Sequence, residues 1–260
     1  MNDPFLVVDS PQVGCVSEPG RAFTQMVVRG HWDGRLRQEV SRVLRACVTE
    51  APRMLLVDLT RLQDEAGESA STWQTAARYA MEAKLQVTVV LCAAGPAVRQ
   101  RLSTNGCDQA VTLVDTASAQ MPSRDGDIRQ QHLALPAQPA ASALARTMVT
   151  DACLTFDVAH LVHPARLIVS ELVANAVEHT GTDVRLWVSV RGSILHLAVQ
   201  DGSRELPHLL DTGHQHPAPI LAPGTGLRLV SAAATAWGAL PCRRGKAVWA
   251  TLTKQAGRAA

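Results

Sequence analysis

Residues 164–179 read PARLIVSELVANAVEH, and this stretch organises the interpretation of the whole chain. Its apolar side chains recur three and four positions apart, the period of a helix with one buried face. They are Ala165, Ile168, Val169, Leu172, Val173 and Ala176. Glu171 and Asn175 stand four positions apart, so they project together at the rim of that face. A carboxylate and a carboxamide at that position form either a surface polar pair or part of a functional site.

The segments after this helix predict a sheet beside it. Two stretches alternate apolar and polar side chains around a short turn, the pattern of an antiparallel hairpin, and a third such stretch closes the chain. In chain order the segments are the hairpin (183–190 and 194–200), Asp201-Gly202-Ser203, a polar loop to residue 223, an amphipathic helix from 224 to about Trp237, and a last strand at 246–253.

This order of elements resembles the histidine-kinase-like ATPase superfamily, called GHKL, and in particular its anti-sigma-factor serine kinases. Residues 171–179, ELVANAVEH, look like the N box of that family. Residues 201–203, DGS, look like its adenine-contacting box, and residues 224–227, GTGL, look like its glycine box. The resemblance covers about residues 133–254, and three boxes in sequence are far more specific than any one of them.

The resemblance implies ATP and Mg²⁺ as cofactors. Asn175 would supply an amide oxygen to Mg²⁺, and Glu171 would be the general base for an attacking hydroxyl. Nucleotide contacts are implied at the other box residues, which are Asp201, Ser203, Gly224, Thr225, Gly226 and Leu227. The glycines permit close backbone approach, and the following helix offers free N–H groups to phosphates.

The adenine box and the loop after it depart from simple expectation. The family usually has glycines at the second and fourth positions after the Asp, where this chain has Ser203 and Glu205. The loop corresponds to a lid over the phosphates and carries His208, His214 and His216. A metal site is one interpretation of these histidines, but without a fourth ligand at suitable spacing a solvated loop is favoured.

The first half of the chain alternates strand and helix patterns, which predicts an α/β domain with a largely parallel sheet. The predicted strands are 24–29, 53–59, 86–92 and 110–114, and the predicted helices are 33–50, 67–84 and a short one from Gly95 to Asn105. A polar loop is expected at 60–65. With the second half, the fold class is α/β (α+β): an α/β domain followed by an α/β sandwich.

Asp64-Glu65-Ala66-Gly67 makes the first half resemble a STAS domain, the fold of anti-sigma-factor antagonists. In those antagonists the motif is typically Asp-Ser-Ser-Gly, and a partner kinase phosphorylates one of the serines. Here Glu65 and Ala66 occupy the serine positions, while Ser69 and Ser71 lie nearby. Glu65 is either a permanent negative charge in place of a phosphate or, as we favour, the mark of a lost switch.

We therefore divide the chain into a STAS-like domain at 1–120, a linker at 121–137 and a GHKL domain at 138–260. The linker is rich in Pro, Ser, Asp, Gln and Gly, and it is expected to merge into the first strand of the second domain at 132–135. Residues 138–153 predict an Ala-rich helix that carries Arg146 where the kinases have an arginine directed towards phosphates or partner. An exposed helical arginine is the commoner explanation of Arg146.

The amino-acid composition limits the classes of partner and the cellular location that we expect. The 260 residues are 47% hydrophobic and 18% charged, with a net charge of +2 and no basic block, which argues against nucleic acid. There is no long apolar window and no signal-peptide pattern, so we expect a soluble cytoplasmic protein that does not enter membranes. The six cysteines are scattered without a C-x-x-C pair, and we expect buried free thiols.

The two resemblances together predict a fused regulator of sigma-factor partner switching. The first hypothesis is an ATP-dependent serine/threonine kinase that phosphorylates or sequesters its partner, an antagonist STAS protein or a sigma factor. The second is a non-catalytic nucleotide-binding or docking module, and the third is ordinary ATP hydrolysis. Homodimerisation is implied only by the family.

Overall fold

A computed structural model describes residues 3–104, 111–116, 129–207 and 226–253 of the chain. The fold divides into two compact units. The N-terminal unit comprises residues 7–127 and 240–243, and the C-terminal unit comprises residues 1–6, 128–239 and 244–260. Both units combine helices with sheet, so the predicted α/β class is confirmed.

Helices and strands alternate along much of the chain. Up to residue 116 they are β1 (Phe5–Leu6), β2 (Val13–Glu18), β3 (Phe23–His31), α1 (Gly34–Thr49), β4 (Met54–Gln63), α2 (Ala70–Glu82), β5 (Thr88–Cys92), α3 (Pro96–Thr104) and β6 (Val111–Val114). After residue 128 they are β7 (Arg129–Leu135), α4 (Ala141–Thr155), α5 (Val162–Thr180), β8 (Val184–Arg191), β9 (Ile194–Asp201), α6 (Gly226–Ala233), β10 (Ala236–Cys242) and β11 (Gly245–Thr253).

In the N-terminal unit the strands lie in the order β6-β5-β4-β3-β2. The pairs from β3 to β6 are parallel, and β2 pairs antiparallel with β3. Parallel neighbours need crossover connections, which α1, α2 and α3 provide. Asp33 begins α1 because its carboxylate accepts the Leu36 N–H at 2.7 Å, the usual role of an N-cap. The predicted, largely parallel sheet is confirmed.

Strand predictions in this unit failed where polar residues continue a ladder. β4 extends to Gln63, although residues 60–65 were predicted as a loop. Its end pairs with β3, with Leu62 opposite Gly30 and Gln63 opposite His31 after an irregularity in β3. The backbone pairing of β4 therefore continues beyond the end of its apolar pattern. β2 was not predicted at all, because its alternation includes Gly14 and Ser17.

The helix predicted from residue 67 begins three residues later, at Ala70. Asp64 explains the delay, because its carboxylate accepts the backbone N–H groups of Glu68 at 3.0 Å and Ser69 at 2.9 Å. Gly67 has a φ of +68°, and a Cβ on it would lie 2.7 Å from the backbone of Ala97. The motif is therefore a tight turn ahead of α2, and only glycine fits at its fourth position.

The C-terminal unit has the strand order β7-β8-β9-β11-β10, with β1 parallel to β10. Its pairs from β7 through β11 are antiparallel. One face of the sheet packs on α4, α5 and α6 in a single apolar cluster. All six apolar residues predicted on α5 are buried in it, which confirms the helical period. Among the described residues, no helix is long and apolar enough to cross a membrane.

Two boundaries differ from the sequence interpretation. β7 contains the strand predicted at 132–135 but begins three residues earlier, inside the segment predicted as a linker, and it pairs with β8 along its whole length. The helix predicted to reach Trp237 ends at Ala233, and Trp237 lies buried in β10. The alanine-rich run after Ser231 prolongs a helical pattern, while Gly238 and Pro241 hide the strand that follows.

Candidate functional site

The centre of the candidate site lies on α5. Glu171 and Asn175 are both half-buried, at the edge of the apolar stripe where the sequence places them. The Nδ2 atom of Asn175 is buried and has no hydrogen-bond partner among the described residues. A buried amide without a partner costs free energy unless a ligand or another group satisfies it. The oxygen and nitrogen of an amide exchange places by a simple flip, so this position can present either atom.

The start of α6 lies directly against Glu171. A Cβ built on Gly226 would be 2.5 Å from Glu171 Oε2, closer than real side-chain contacts allow. A side chain at this position would displace the Glu171 carboxylate or the start of α6, so the first turn of α6 stands directly beside that carboxylate. Two residues predicted from separate boxes are brought together by the fold.

The environment of Glu171 makes its carboxylate more basic. Desolvation by burial raises the pKa of Glu171, and the negative charge of Glu178 raises it further. A carboxyl group with a raised pKa holds a proton more strongly than a solvated one. This is the direction of change that a general base working near neutral pH requires.

Asp201, the last residue of β9, is buried and ion-paired. Lys246 lies opposite it in the β9–β11 ladder, and Lys246 Nζ donates to Asp201 Oδ1 at 3.0 Å. Ser203 N also donates to Oδ1, at 2.8 Å. Burial raises the pKa of Asp201, and the bonds from Lys246 and Ser203 partly offset that increase. Both bonds use Oδ1, so a ligand donor would reach the carboxylate through Oδ2.

Threonines connect the end of α5 to the turn that carries Asp201. Thr182 Oγ1 accepts the Gly202 N–H at 2.9 Å and lies 2.9 Å from Thr180 Oγ1. On the other side of the turn, a Cβ on Gly245 would overlap the carbonyl oxygen of Asp201. The position of the Asp201 carboxylate is therefore fixed by α5, by β11 and by its own turn.

The remaining predicted contacts fall into three groups. Gly224 and Thr225 lie outside the described residues, as do His208, His214 and His216. Leu227 packs into the apolar core, so any ligand contact would come from its backbone. Ser203 is half-buried, and its Oγ accepts the Glu205 N–H at 3.1 Å. In the described part of the chain, no group of three or more His, Cys, Asp or Glu side chains could hold a metal.

Sequence reasoning missed Lys246 and gave Arg146 only a weak role. Lys246 begins an alternating strand, but its position opposite Asp201 depends on a register that the sequence does not display. Arg146, on α4, is half-buried, and its Nη1 donates to Ser170 Oγ at 3.2 Å, one residue before Glu171. The distance between Arg146 and α5 depends on how α4 packs against α5, which the sequence does not show.

The motif residues of the N-terminal unit present a different picture. Glu65 and Ala66 are exposed, ahead of the first turn of α2. Ser69 is fully buried, and its Oγ accepts Trp73 Nε1 at 3.0 Å. Ser71 is exposed, and its hydroxyl donates to the Glu68 carbonyl at 3.2 Å. Of the two nearby serines, Ser71 is the one whose hydroxyl a partner could reach.

Comparison with known proteins gives matches among solved structures alone. No protein-family model and no curated protein sequence matches the chain. Among solved structures, the chain is similar to the anti-sigma factor antagonist SpoIIAA in its unphosphorylated form, at 16% identity and a TM-score of 0.33. The match covers 42% of this chain and 90% of that one. The Bacillus cell fate determinant SpoIIAA in the phosphorylated form is similar at 14% identity and a TM-score of 0.32, over 42% and 94%. Likeness at this level leaves function to the residues themselves.

Proposed function

We propose that the C-terminal unit is an ATP- and Mg²⁺-binding domain of the GHKL type, and that the chain is a serine/threonine kinase or sequestering regulator of the anti-sigma-factor class. One observation carries the proposal. Gly226 lies against Glu171, and the buried Nδ2 atom of Asn175, one helical turn further along, has no partner among the described residues. A helix start suits a phosphate group, an amide one turn away from Glu171 suits a bound Mg²⁺, and the carboxylate beside them suits a general base.

Each residue has a role that its environment supports. Asn175 would bind Mg²⁺ through its amide oxygen, since hard cations prefer oxygen ligands. The first N–H groups of α6 would bind phosphate oxygens. Asp201 would accept the amino group of adenine through Oδ2, because its Oδ1 is occupied by Lys246 and Ser203. ATP would supply the phosphoryl group, and Mg²⁺ would neutralise its charge.

Glu171 would take the proton from a serine hydroxyl of the partner. Its raised pKa favours proton capture, and it lies beside the start of α6, which would bind the terminal phosphate. Phosphoryl transfer depends mainly on positioning and on charge neutralisation, so this small set of residues suffices. Arg146, bonded to Ser170, would add a positive charge on the same side of α5.

The N-terminal unit would be a STAS-like docking module without a working phosphorylation switch. Its strand order and its Asp64 to Gly67 turn fit the antagonist fold. Glu65 and Ala66 stand at the serine positions, and the hydroxyl of Ser69 is buried against Trp73. The partner that receives phosphate would then be a separate antagonist protein with a serine in this motif.

Calorimetric titration of the full chain with ATP and Mg²⁺ tests the nucleotide site. The wild type should bind ATP only when Mg²⁺ is present, and Asn175→Ala should lose this Mg²⁺-dependent binding. Gln38→Ala, an exposed amide on α1, is the matched control and should bind like the wild type. Failure of the wild type to bind ATP with Mg²⁺ contradicts the proposal.

A second candidate, a non-catalytic docking module, is favoured by the state of Asp201. Its side chain is 1% exposed and already bonded to Lys246. The two candidates differ in phosphoryl transfer to a STAS protein with an intact serine motif. Transfer by the wild type and its loss in Glu171→Gln support the kinase. ATP binding without transfer to any such protein supports docking.

A further inference from the structure

Two cysteine sulfurs meet in the interior of the N-terminal unit. Cys15 lies on β2 and Cys47 lies in the last turn of α1, 32 positions apart in sequence. Their Sγ atoms are 3.4 Å apart, and the two residues are 1% and 0% exposed. The proposed kinase function uses neither of them.

Backbone contacts fix the position of Cys15 in β2. The backbone N–H of Cys15 donates to Asp9 Oδ1 at 2.8 Å, and Cys15 pairs with Met26 in the β2–β3 ladder. A disulfide bond is about 2.05 Å long, so the sulfurs need to approach by only ~1.3 Å. Rotation of two side chains about their Cα–Cβ bonds covers a displacement of that size.

We propose that Cys15 and Cys47 are a redox modification site, which a peroxide converts to an internal disulfide and small thiols restore. The disulfide would close a loop of 32 positions and tie β2 to α1. Closing a loop of this length restricts the unfolded chain, so oxidation should stabilise the N-terminal unit against unfolding.

The chemistry balances with hydrogen peroxide as the oxidant. One thiolate attacks a peroxide oxygen, the O–O bond breaks, and a sulfenic acid and one water form after proton transfer. The second sulfur attacks the sulfenic sulfur, the S–S bond forms and the S–O bond breaks, releasing the second water. Two thiols and one peroxide thus give one disulfide and two waters. A small neutral oxidant is required because both sulfurs are buried.

The same surroundings make the reaction slow at neutral pH. The contact with Cys47 and burial raise the pKa of Cys15 well above its usual range, and the negative charges of Asp9 and Glu50 add to this effect. The thiolate is the reactive form, so the rate of oxidation should rise about tenfold per pH unit while Cys15 remains mostly protonated. The pair would thus stay reduced except under sustained oxidant.

Peptide mapping of the full chain tests the proposal. Reduced protein is treated with hydrogen peroxide at pH 7 and pH 8, blocked with N-ethylmaleimide in denaturant, and digested with trypsin without reductant. Cys15 falls in the peptide 1–21 and Cys47 in the peptide 46–53. We expect these two peptides joined and two hydrogens lighter, formed faster at pH 8, and released by dithiothreitol.

Cysteine variants separate the pair from general oxidation. Cys47→Ala should abolish the joined peptides. Cys153→Ala is the matched control, because Cys153 is equally buried, in the C-terminal unit, where burial raises its pKa to about 11. That variant should form the link at the wild-type rate. Absence of the link in the wild type, or recovery of Cys15 as a sulfinic acid with Cys47 alkylated, overturns the proposal.

Discussion

The α5–α6 region of the C-terminal unit and the Asp64 to Gly67 turn of the N-terminal unit both carry acidic residues at a motif, but in opposite environments. Glu171 is half-buried with a raised pKa, whereas Glu65 is exposed to solvent. A desolvated carboxylate lowers stability, so a fold retains one only against that cost. An exposed glutamate costs nothing and says little about function. Polar groups held in unfavourable surroundings are therefore the better guide to a site.

The largest expected effect comes from a variant that removes the ion-pair partner of the buried Asp201. Lys246→Met leaves the carboxylate buried without its ion pair, and we expect the free energy of unfolding to fall by ~3–5 kcal/mol. Urea denaturation measures the loss, and hydrogen exchange of β9 and β11 peptides locates it. The double variant with Asp201→Asn should recover most of the stability because no charge remains unpaired.

An exposed pair of the N-terminal unit serves as the control for this experiment. Arg78 and Glu82 on α2 are 3.8 Å apart, with side chains 67% and 70% exposed. Water and salt screen such pairs, so Arg78→Ala should leave the free energy of unfolding almost unchanged. Equal losses in Lys246→Met and Arg78→Ala would remove the contrast between the two units.

The second prediction concerns a variant that fills the space between α6 and α5. Gly226→Ala places a methyl group against Glu171 Oε2 and should displace either that carboxylate or the start of α6, so we expect ATP binding to weaken about tenfold, the equivalent of ~1.4 kcal/mol. Titration calorimetry with Mg²⁺ and ATP measures the effect. Gly34→Ala, at the start of α1 where a Cβ meets no atom within 4 Å, is the matched control.

A double variant shows whether the clash itself causes the loss. The Cβ of Glu171 would be 3.7 Å from the new methyl group, an ordinary contact, so Glu171→Ala combined with Gly226→Ala should restore α6 and much of the affinity. Phosphoryl transfer should stay absent because the base is missing. No recovery of binding in the double variant would mean that the glycine serves another purpose.

Most of the fold could be predicted because it follows from periodicity. The six apolar residues of α5 and the alternating strands β8, β9 and β11 have patterns that only one local structure satisfies. β2 and β10 were missed and the start of β7 was placed three residues too late, since these residues join a ladder through backbone bonds rather than through an apolar pattern. Pairing across the sheet is a tertiary property.

The residues of the candidate site could be proposed from their spacing in the sequence, but the contacts between them in space could not. Four positions on a helix place Glu171 beside Asn175 in any sequence. The approach of Gly226 to Glu171, and of Lys246 to Asp201, joins residues 55 and 45 positions apart and depends on packing and register. The open Nδ2 of Asn175 is likewise visible only once its neighbours are placed.

The pH dependence of phosphoryl transfer tests whether Glu171 is the general base. A general base works when deprotonated, so the rate should fall as the pH drops through the raised pKa of Glu171. Glu178→Gln removes the repulsion that contributes to this rise, so the acidic limb of the pH–rate profile should move to lower pH. Glu82→Gln, an exposed change on α2, should leave the limb in place. A limb that stays fixed, or moves upward, in Glu178→Gln would exclude Glu171 as the base.

The smallest expected effect belongs to Glu65 itself. Glu65→Ala should change the free energy of unfolding by less than ~0.5 kcal/mol, because the side chain is exposed and α2 begins five residues later, beyond the reach of its charge. Gly67→Ala, two residues away, should be far more damaging, since its φ of +68° and its contact with Ala97 both exclude a Cβ. Urea denaturation of both variants measures the difference. If Glu65→Ala instead loosens the start of α2 in hydrogen exchange, the glutamate acts as a standing negative charge in place of a phosphate. The N-terminal motif would then be a switch held in one state rather than one that has been lost.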